Sequence, residues 1–233
     1  MSVWALESGT LWAVEMQGML PAPVQPRAPA VFGEVRRRDY PELAEAAGSP
    51  GSESLLDRFS GFRRCFAARL DGQIAAYGWV SQKDERIGEL ERCIRLSGDE
   101  AYIWDCVTLP DYRRLRLYSA LLSHMLVVLN REGVRRVWIG SSLSNRPSIQ
   151  GFANAGFQPA ITVLYLRLLK VRWFWIRGYP EAPDHLVRAA RQAMIDPHEQ
   201  TWGPLAFGTA GAAPFSGCVQ MEGQKNKMQS ETL

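Results

Sequence analysis

Histidine is nearly absent from this 233-residue chain, with three copies, and cysteine is scarce at four. Cys65, Cys93, Cys106 and Cys218 form no CxxC pair, and His124, His185 and His198 form no HExxH. That spacing excludes the usual zinc sites and redox couples, and four cysteines do not make a disulfide scaffold. A long apolar run is also missing. The closest, 161–176, is interrupted by Arg167, Lys170 and Arg172 and falls short of the ~20 apolar residues of a membrane span. The first 18 residues lack a basic n-region and are broken by Glu7, Gly9 and Glu15, which argues against a signal peptide. Together these absences predict a soluble, cytoplasmic chain without metal. Charge of one sign is lacking too: 27 basic against 24 acidic residues give +3, which implies no polyanion partner. With no recognition module and no basic–aromatic interleaving, nucleic-acid binding is not expected.

What is present suits a globular fold. The chain is 46% hydrophobic and 22% charged, and its length suggests one domain plus appendages. Four prolines in positions 19–29 predict an extended linker, leaving 1–18 as an arm outside the fold. The main domain is then 30–170, followed by an aromatic and helical extension over 171–200. Residues 201–233 are rich in Gly, Ala, Ser and Gln and read as a disordered tail.

Periodicity predicts a strand over 31–37 and a short helix over 40–47, opened by Asp39 with Pro41 in its first turn. Asp71-Gly72 predicts a hairpin between 62–70 and 73–81. A strand over 101–109 ends at Pro110. Leu117, Leu121, Leu122, Met125, Val128 and Leu129 then recur at helical spacing up to Gly133. Further segments are a strand over 135–140, a helix over 145–155 and a strand over 161–169, with another helix over 183–194. The order implies an α/β domain with a mixed sheet. The charged stretch 81–99 fits a loop near a site or a solvated helix.

Chemistry concentrates in 107–122, where a strand ends in a proline turn and a helix starts with arginines at its mouth. Unpaired amides and the helix dipole favour an anion there, and Arg113, Arg114 and Arg116 reinforce it, so a phosphate or pyrophosphate fits. A solvated basic patch beside a tight turn has the same pattern.

Here the chain resembles the GCN5-related N-acetyltransferase (GNAT) superfamily. Its pyrophosphate loop reads Pro-x-Tyr-Arg-Gly-x-Gly-x-Gly, and Pro110, Tyr112 and Arg113 stand in register. Asn145, Ser148, Phe152 and Gly156-Phe157 match its second motif, and the resemblance covers roughly 30–170. It departs at the loop glycines, replaced by Arg114, Arg116 and Tyr118, and at the acid and base positions of members that acetylate protein N-termini, here Phe152 and Gly140.

The resemblance implies a mostly antiparallel mixed sheet with splayed central strands flanked by helices. It also implies an acyltransferase that uses acetyl-CoA or another acyl-CoA and an amine acceptor, with a homodimer left open. The cofactor-binding set would be Cys106, Val107, Thr108, Arg113, Arg114, Leu115, Arg116, Leu117, Tyr118, Ser119 and Asn145. An amide near Val107 would hold the oxyanion. Asp105, Tyr102 or a water would take the amine proton, and Tyr118 or Tyr165 would protonate the thiolate. Strict alternation puts Tyr102 and Asp105 on opposite faces, unless the family's bulge in that strand intervenes. Cys106 reads as packing rather than nucleophile. Asn145 suits helix capping, pantetheine binding, or both, and His124 reads as a core-edge residue. The aromatic run 173–179 would cover the acceptor groove or pack on the sheet. A domain that binds acyl-CoA or a partner without catalysis is the alternative.

Overall fold

The computed structural model describes residues 4–194 apart from 17, 19, 49–52, 60, 61, 91 and 170. The expectation for 201–233 lies outside the described residues.

Asp71 and Gly72 both take positive φ (49° and 83°), the backbone a two-residue hairpin turn requires. They join β3 (Arg63–Leu70) to β4 (Gln73–Ser81) as the sequence predicts. The other strands of the main sheet are β1 (Trp4–Glu15), β2 (Val31–Val35), β7 (Glu100–Thr108), β8 (Arg136–Ser142), β9 (Gln158–Leu168) and β10 (Val171–Gly178). Their order is β10-β9-β1-β8-β7-β4-β3-β2, and every pairing is antiparallel except β7 with β8. A mixed, mostly antiparallel sheet was expected and is observed.

Helices cover both faces. On one lie α3 (Leu117–Arg131) and α4 (Arg146–Asn154), where Leu121, Met125 and Phe152 meet Val80, Ile103 and Ile139. On the other lie α1 (Tyr40–Ala46), α2 (Glu53–Asp57) and α5 (Asp184–Met194). Leu43 packs there with Val35 and Trp79, and Leu186 and Met194 pack with Trp138 and Ile161. Asp39 does not cap α1. Its carboxylate accepts from the Arg36 amide at 3.0 Å, closing the 3-10 turn before the helix.

The N-terminal segment corrects the sequence reading most. Rather than an arm outside the fold, β1 is inserted between β8 and β9, antiparallel to both. Trp12 is 8% exposed and meets Phe152 and Tyr179 edge-on at 6.0 and 6.4 Å. Leu11 and Ala13 enter the core on one face, and Trp12 and Val14 enter it on the other. A strand buried on both faces shows an unbroken apolar run instead of alternation, which hides it from a periodicity test. The proline stretch has no regular structure, as expected, yet it is a fixed strap. Leu20, Ala28 and Ala30 pack on the α3 side, the Val24 amide donates to Ser123 Oγ, and the Arg27 amide donates to the Leu115 carbonyl.

Segment 81–99 is neither a bare loop nor a helix. It holds a small hairpin of β5 (Glu85–Ile87) and β6 (Arg92–Ile94), anchored by buried Glu85 accepting twice from Arg63 at 2.7 and 2.9 Å. The aromatic run forms β10, an edge strand on β9. Among the described residues no helix is long and apolar enough to cross a membrane, and no cluster of three His, Cys, Asp or Glu could hold a metal.

Candidate active site

Strands β7 and β8 pair in parallel from Glu100↔Arg136 to Ile103↔Ile139 and no further, although both continue. Beyond that point β7 stays on β4 as far as Ala76↔Thr108, while β8 stays on β1 as far as Gly9↔Ser142. The sheet therefore forks between residues 104–108 and 140–142. Backbone groups that face the fork have no ladder partner across it, and this is where the expected splay lies. Thr108 Oγ1, at the end of β7, is buried with no hydrogen-bond partner among the described residues. A polar atom left in that state points to a missing ligand or water.

A bulge shapes the β7 side. Tyr77 pairs with Val107 and Trp79 with Trp104, so two steps on β4 oppose three on β7. Asp105, inside the bulge, takes φ 45°. The extra residue breaks the alternation, so that Trp104 and Asp105 both meet Arg58 on one face although they are consecutive. Cys106 Sγ packs toward α3, where a Cβ on Gly78 would meet it at 2.5 Å and Met125 Cε at 3.0 Å. Burial pushes that thiol up, with Asp105 adding to it, as suits a packing residue and not a nucleophile. Asp105 instead ion-pairs with Arg58, on the face that carries Tyr102 and Trp104. Strict alternation would have separated Tyr102 from Asp105, and the bulge puts them on one side.

The mouth of the fork is the loop before α3. After a 3-10 turn over Pro110–Tyr112, Arg114 (φ 68°) and Arg116 (φ 61°) both adopt the left-handed conformation. The two arginines thus keep the backbone that glycine adopts freely, at a steric cost of roughly 1–2 kcal/mol each. Arg116 is the N-cap residue, and no side chain caps the helix. The amides of Leu117, Tyr118 and Ser119 consequently lack an intrahelical partner. Arg113, Arg114 and Arg116 are exposed, with no ion-pair partner among the described residues. The side chains of Leu117 (1% exposed) and Ser119 (5%) turn into the core, and Leu115 packs against it. Leu117 and Ser119 therefore face the loop mouth through their backbone.

Tyr118, at the third glycine position, fits because Gly151 faces it. A Cβ on Gly151 would come within 2.3 Å of the Tyr118 ring. The ring also lies 6.3 Å from Phe152, so a phenol reaches the neighbourhood of the aromatic position that lacks one. Burial pushes this phenol well above its ordinary value; Cys106 and Tyr102 add to the rise, and a hydrogen bond with Ser148 opposes it. It keeps its proton at neutral pH and is a donor there. On the far wall, the Tyr102 hydroxyl lies 3.6 Å from where a Cβ on Gly140 would stand.

Asn145 is exposed and caps α4, its Oδ1 accepting from the Ser148 amide at 3.3 Å. Its NH2 group is not used in the cap. Tyr165 is buried on β9, separated from β7 by β1 and β8, and does not join the fork. His124 stacks on Phe32 at 5.6 Å, and burial pushes its pKa down, as fits a core-edge residue. Sequence reasoning missed Arg58, which lies in no motif and reaches Asp105 only through the fold.

The family model for the acetyltransferase (GNAT) family matches residues 32–157, just over half of the chain. Among curated proteins, the [ribosomal protein bS18]-alanine N-acetyltransferase of Escherichia coli K12 is 36% identical over 62 residues. That match covers 27% of this chain and 42% of the relative, so it spans about two fifths of that protein's length. Among solved structures, a GCN5-related N-acetyltransferase from Sphaerobacter thermophilus aligns with TM-score 0.50 at 18% identity, covering 75% of this chain and 53% of that one, a similarity of fold. The ribosomal-protein-S18-alanine N-acetyltransferase of Escherichia coli aligns with TM-score 0.45 at 19% identity, covering 60% and 94%.

Proposed function

This chain belongs to the acetyltransferase (GNAT) family, and we propose that it transfers an acetyl or longer acyl group from a CoA thioester to an amine by direct attack in the β7–β8 fork. The observation that carries this reading is the juxtaposition of two features. The fork opens beside an uncapped helix N-terminus whose three amides without an intrahelical partner, and three arginines without an ion-pair partner among the described residues, suit a pyrophosphate. Loss of the loop glycines does not count against it, because Arg114 and Arg116 hold the left-handed backbone themselves.

Each residue then has a defined task. Arg113, Arg114 and Arg116 neutralise the diphosphate while the amides of Leu117, Tyr118 and Ser119 bind its oxygens. The Thr108 hydroxyl and the Asn145 amide bond the arm that enters the fork. A free amide in Cys106–Thr108, nearest Val107, stabilises the oxyanion as the amine attacks. The new C–N bond forms as the C–S bond breaks. The proton from the amine passes to Asp105, directly or through Tyr102, and Tyr118 gives its proton to the departing thiolate.

The test is thiol release from acetyl-CoA on addition of a panel of primary amines, with acylated products identified by mass spectrometry. Stoichiometric thiol and acylated amine are expected. Acetyl-CoA binding without acyl transfer to any amine would overturn the catalytic assignment and leave a binding domain.

A further inference from the structure

Arg58 follows α2 directly, and its guanidinium lies 5.2 Å from the Trp104 ring centroid and 5.9 Å from that of Trp79. The two indoles stack at 5.8 Å with planes 26° apart. Asp105 completes the arrangement by pairing with Arg58 from inside the bulge. Both partners are about one third exposed (35% and 36%), so solvent reaches the cage. Trp79 is fully buried there, and its Nε1 has no hydrogen-bond partner among the described residues. Arg63 also approaches Trp104, at 5.8 Å, but Glu85 holds it in a two-point bond.

Arg58 is held in this cage by the Asp105 carboxylate and by the two indole faces. The ion pair itself, about one third exposed on each side, adds little to stability. Asp105 presents its carboxylate from left-handed backbone, a conformation aspartate visits more readily than most residues. A carboxylate beside indole faces is a site for an organic cation. This one stands two residues beyond the last β7–β8 pair, at the opening of the fork.

We propose that Arg58 occupies the seat of the acceptor's own ammonium. On the acyltransferase reading of the fork, on which this rests, the acceptor is a primary ammonium on an aliphatic stem. It enters between the Trp104 and Trp79 rings and Asp105 by displacing the guanidinium. Asp105 then takes its proton and leaves the nitrogen lone pair facing the thioester. Neutral nucleophiles are rejected, because displacing Arg58 with an uncharged group leaves Asp105 without a cation. Arg58 is thus a built-in competitor, and self-occupancy reduces apparent affinity by the fraction of open cage.

The test uses the whole chain without acyl-CoA. Butylammonium chloride is titrated into the native chain, Arg58→Ala, and Arg58→Ala combined with Asp105→Asn, followed by indole fluorescence and calorimetry, with butanol as the neutral counterpart. Arg58→Ala is expected to lower the butylammonium Kd about tenfold or more. The double variant should lose that gain, and butanol should not bind. Arg58→Gln keeps the stem and should give the same tightening if Arg58→Ala does not fold. The proposal is overturned if both Arg58 variants bind butylammonium no more tightly than the native chain, if the gain survives without Asp105, or if butanol binds equally well. A parallel acetyl-CoA titration separates the two readings. Its failure would remove the acyltransferase assignment, whereas failure of the amine arm alone removes only the Arg58 proposal.

Discussion

Tyr118 owes its chemistry to its neighbours. Burial beside Cys106 and Tyr102 keeps its proton in place, and the open space over Gly151 lets the ring lie where it does. Tyr118→Phe removes the hydroxyl and little else, so stability should hold while turnover falls about 10²-fold, the lower end for a lost general acid. Matched kcat and urea-unfolding measurements check this; an unchanged kcat would assign the acid role elsewhere. Arg114 offers a second test at this scale. In a left-handed position Gly should outperform Ala by about 1 kcal/mol. Arg114→Gly is therefore expected to unfold at higher urea than Arg114→Ala, and equal midpoints would argue against the loop geometry. The identity of these residues was legible in the sequence, since Tyr118 and the arginines stand at motif positions. Their conformation was not, because positive φ at an arginine runs against its intrinsic preference and is imposed by the packed helix on one side and the strap on the other.

Between elements, the contact of α3 with α4 sets the back of the candidate site. Gly151→Ala would drive a methyl group into the Tyr118 ring at 2.3 Å. Overpacking of this kind costs about 1–3 kcal/mol, and relief comes by moving the tyrosine. The variant should lose stability and turnover together, whereas Tyr118→Phe loses turnover alone. Combining Gly151→Ala with Tyr118→Ala should destabilise by less than the sum of the two single changes, as thermal melts of the three variants would show. The strand over 101–109 was predictable from its residues, but the bulge at Asp105 was not. It depends on Gly78 across the ladder, whose missing side chain makes room for Cys106, and a single strand's alternation carries no trace of its partner.

For the molecule as a whole, the N-terminal strand is structural. With β1 between β8 and β9 and Trp12 against Phe152, deletion of residues 1–16 should abolish cooperative unfolding and give insoluble protein. A soluble, cooperatively melting truncation would return that segment to the status of an arm. The same strand carries an ion network: Glu15 accepts from Arg136 at 2.8 Å and contacts His185 Nε2 at 2.7 Å, and Arg136 also donates to Glu100 at 2.7 Å. Burial raises the Glu15 pKa, but the bonds from His185 and Arg136 outweigh it, leaving the group below its ordinary value. A depressed carboxylate stabilises the fold above its unfolded value, near 4.5, and that stability is lost as pH falls through the lower native value. Urea midpoints should therefore drop below about pH 4.5, and Glu15→Gln should flatten part of that drop. The class of fold was legible from the order of strands and helices. The insertion of β1 was not, because its pairing joins residues more than a hundred positions apart and a proline-rich strap conceals the connection.

The central proposal is that acyl-CoA binds at the mouth of the fork. Calorimetric titration of acetyl-CoA into the whole chain, beside Arg113→Ala and Arg116→Ala, tests it most directly. Saturable binding at one site is predicted, weakened about tenfold in each variant, which corresponds to roughly 1.4 kcal/mol. No heat of binding from acetyl-CoA or any longer acyl-CoA, with the chain folded, would contradict the account.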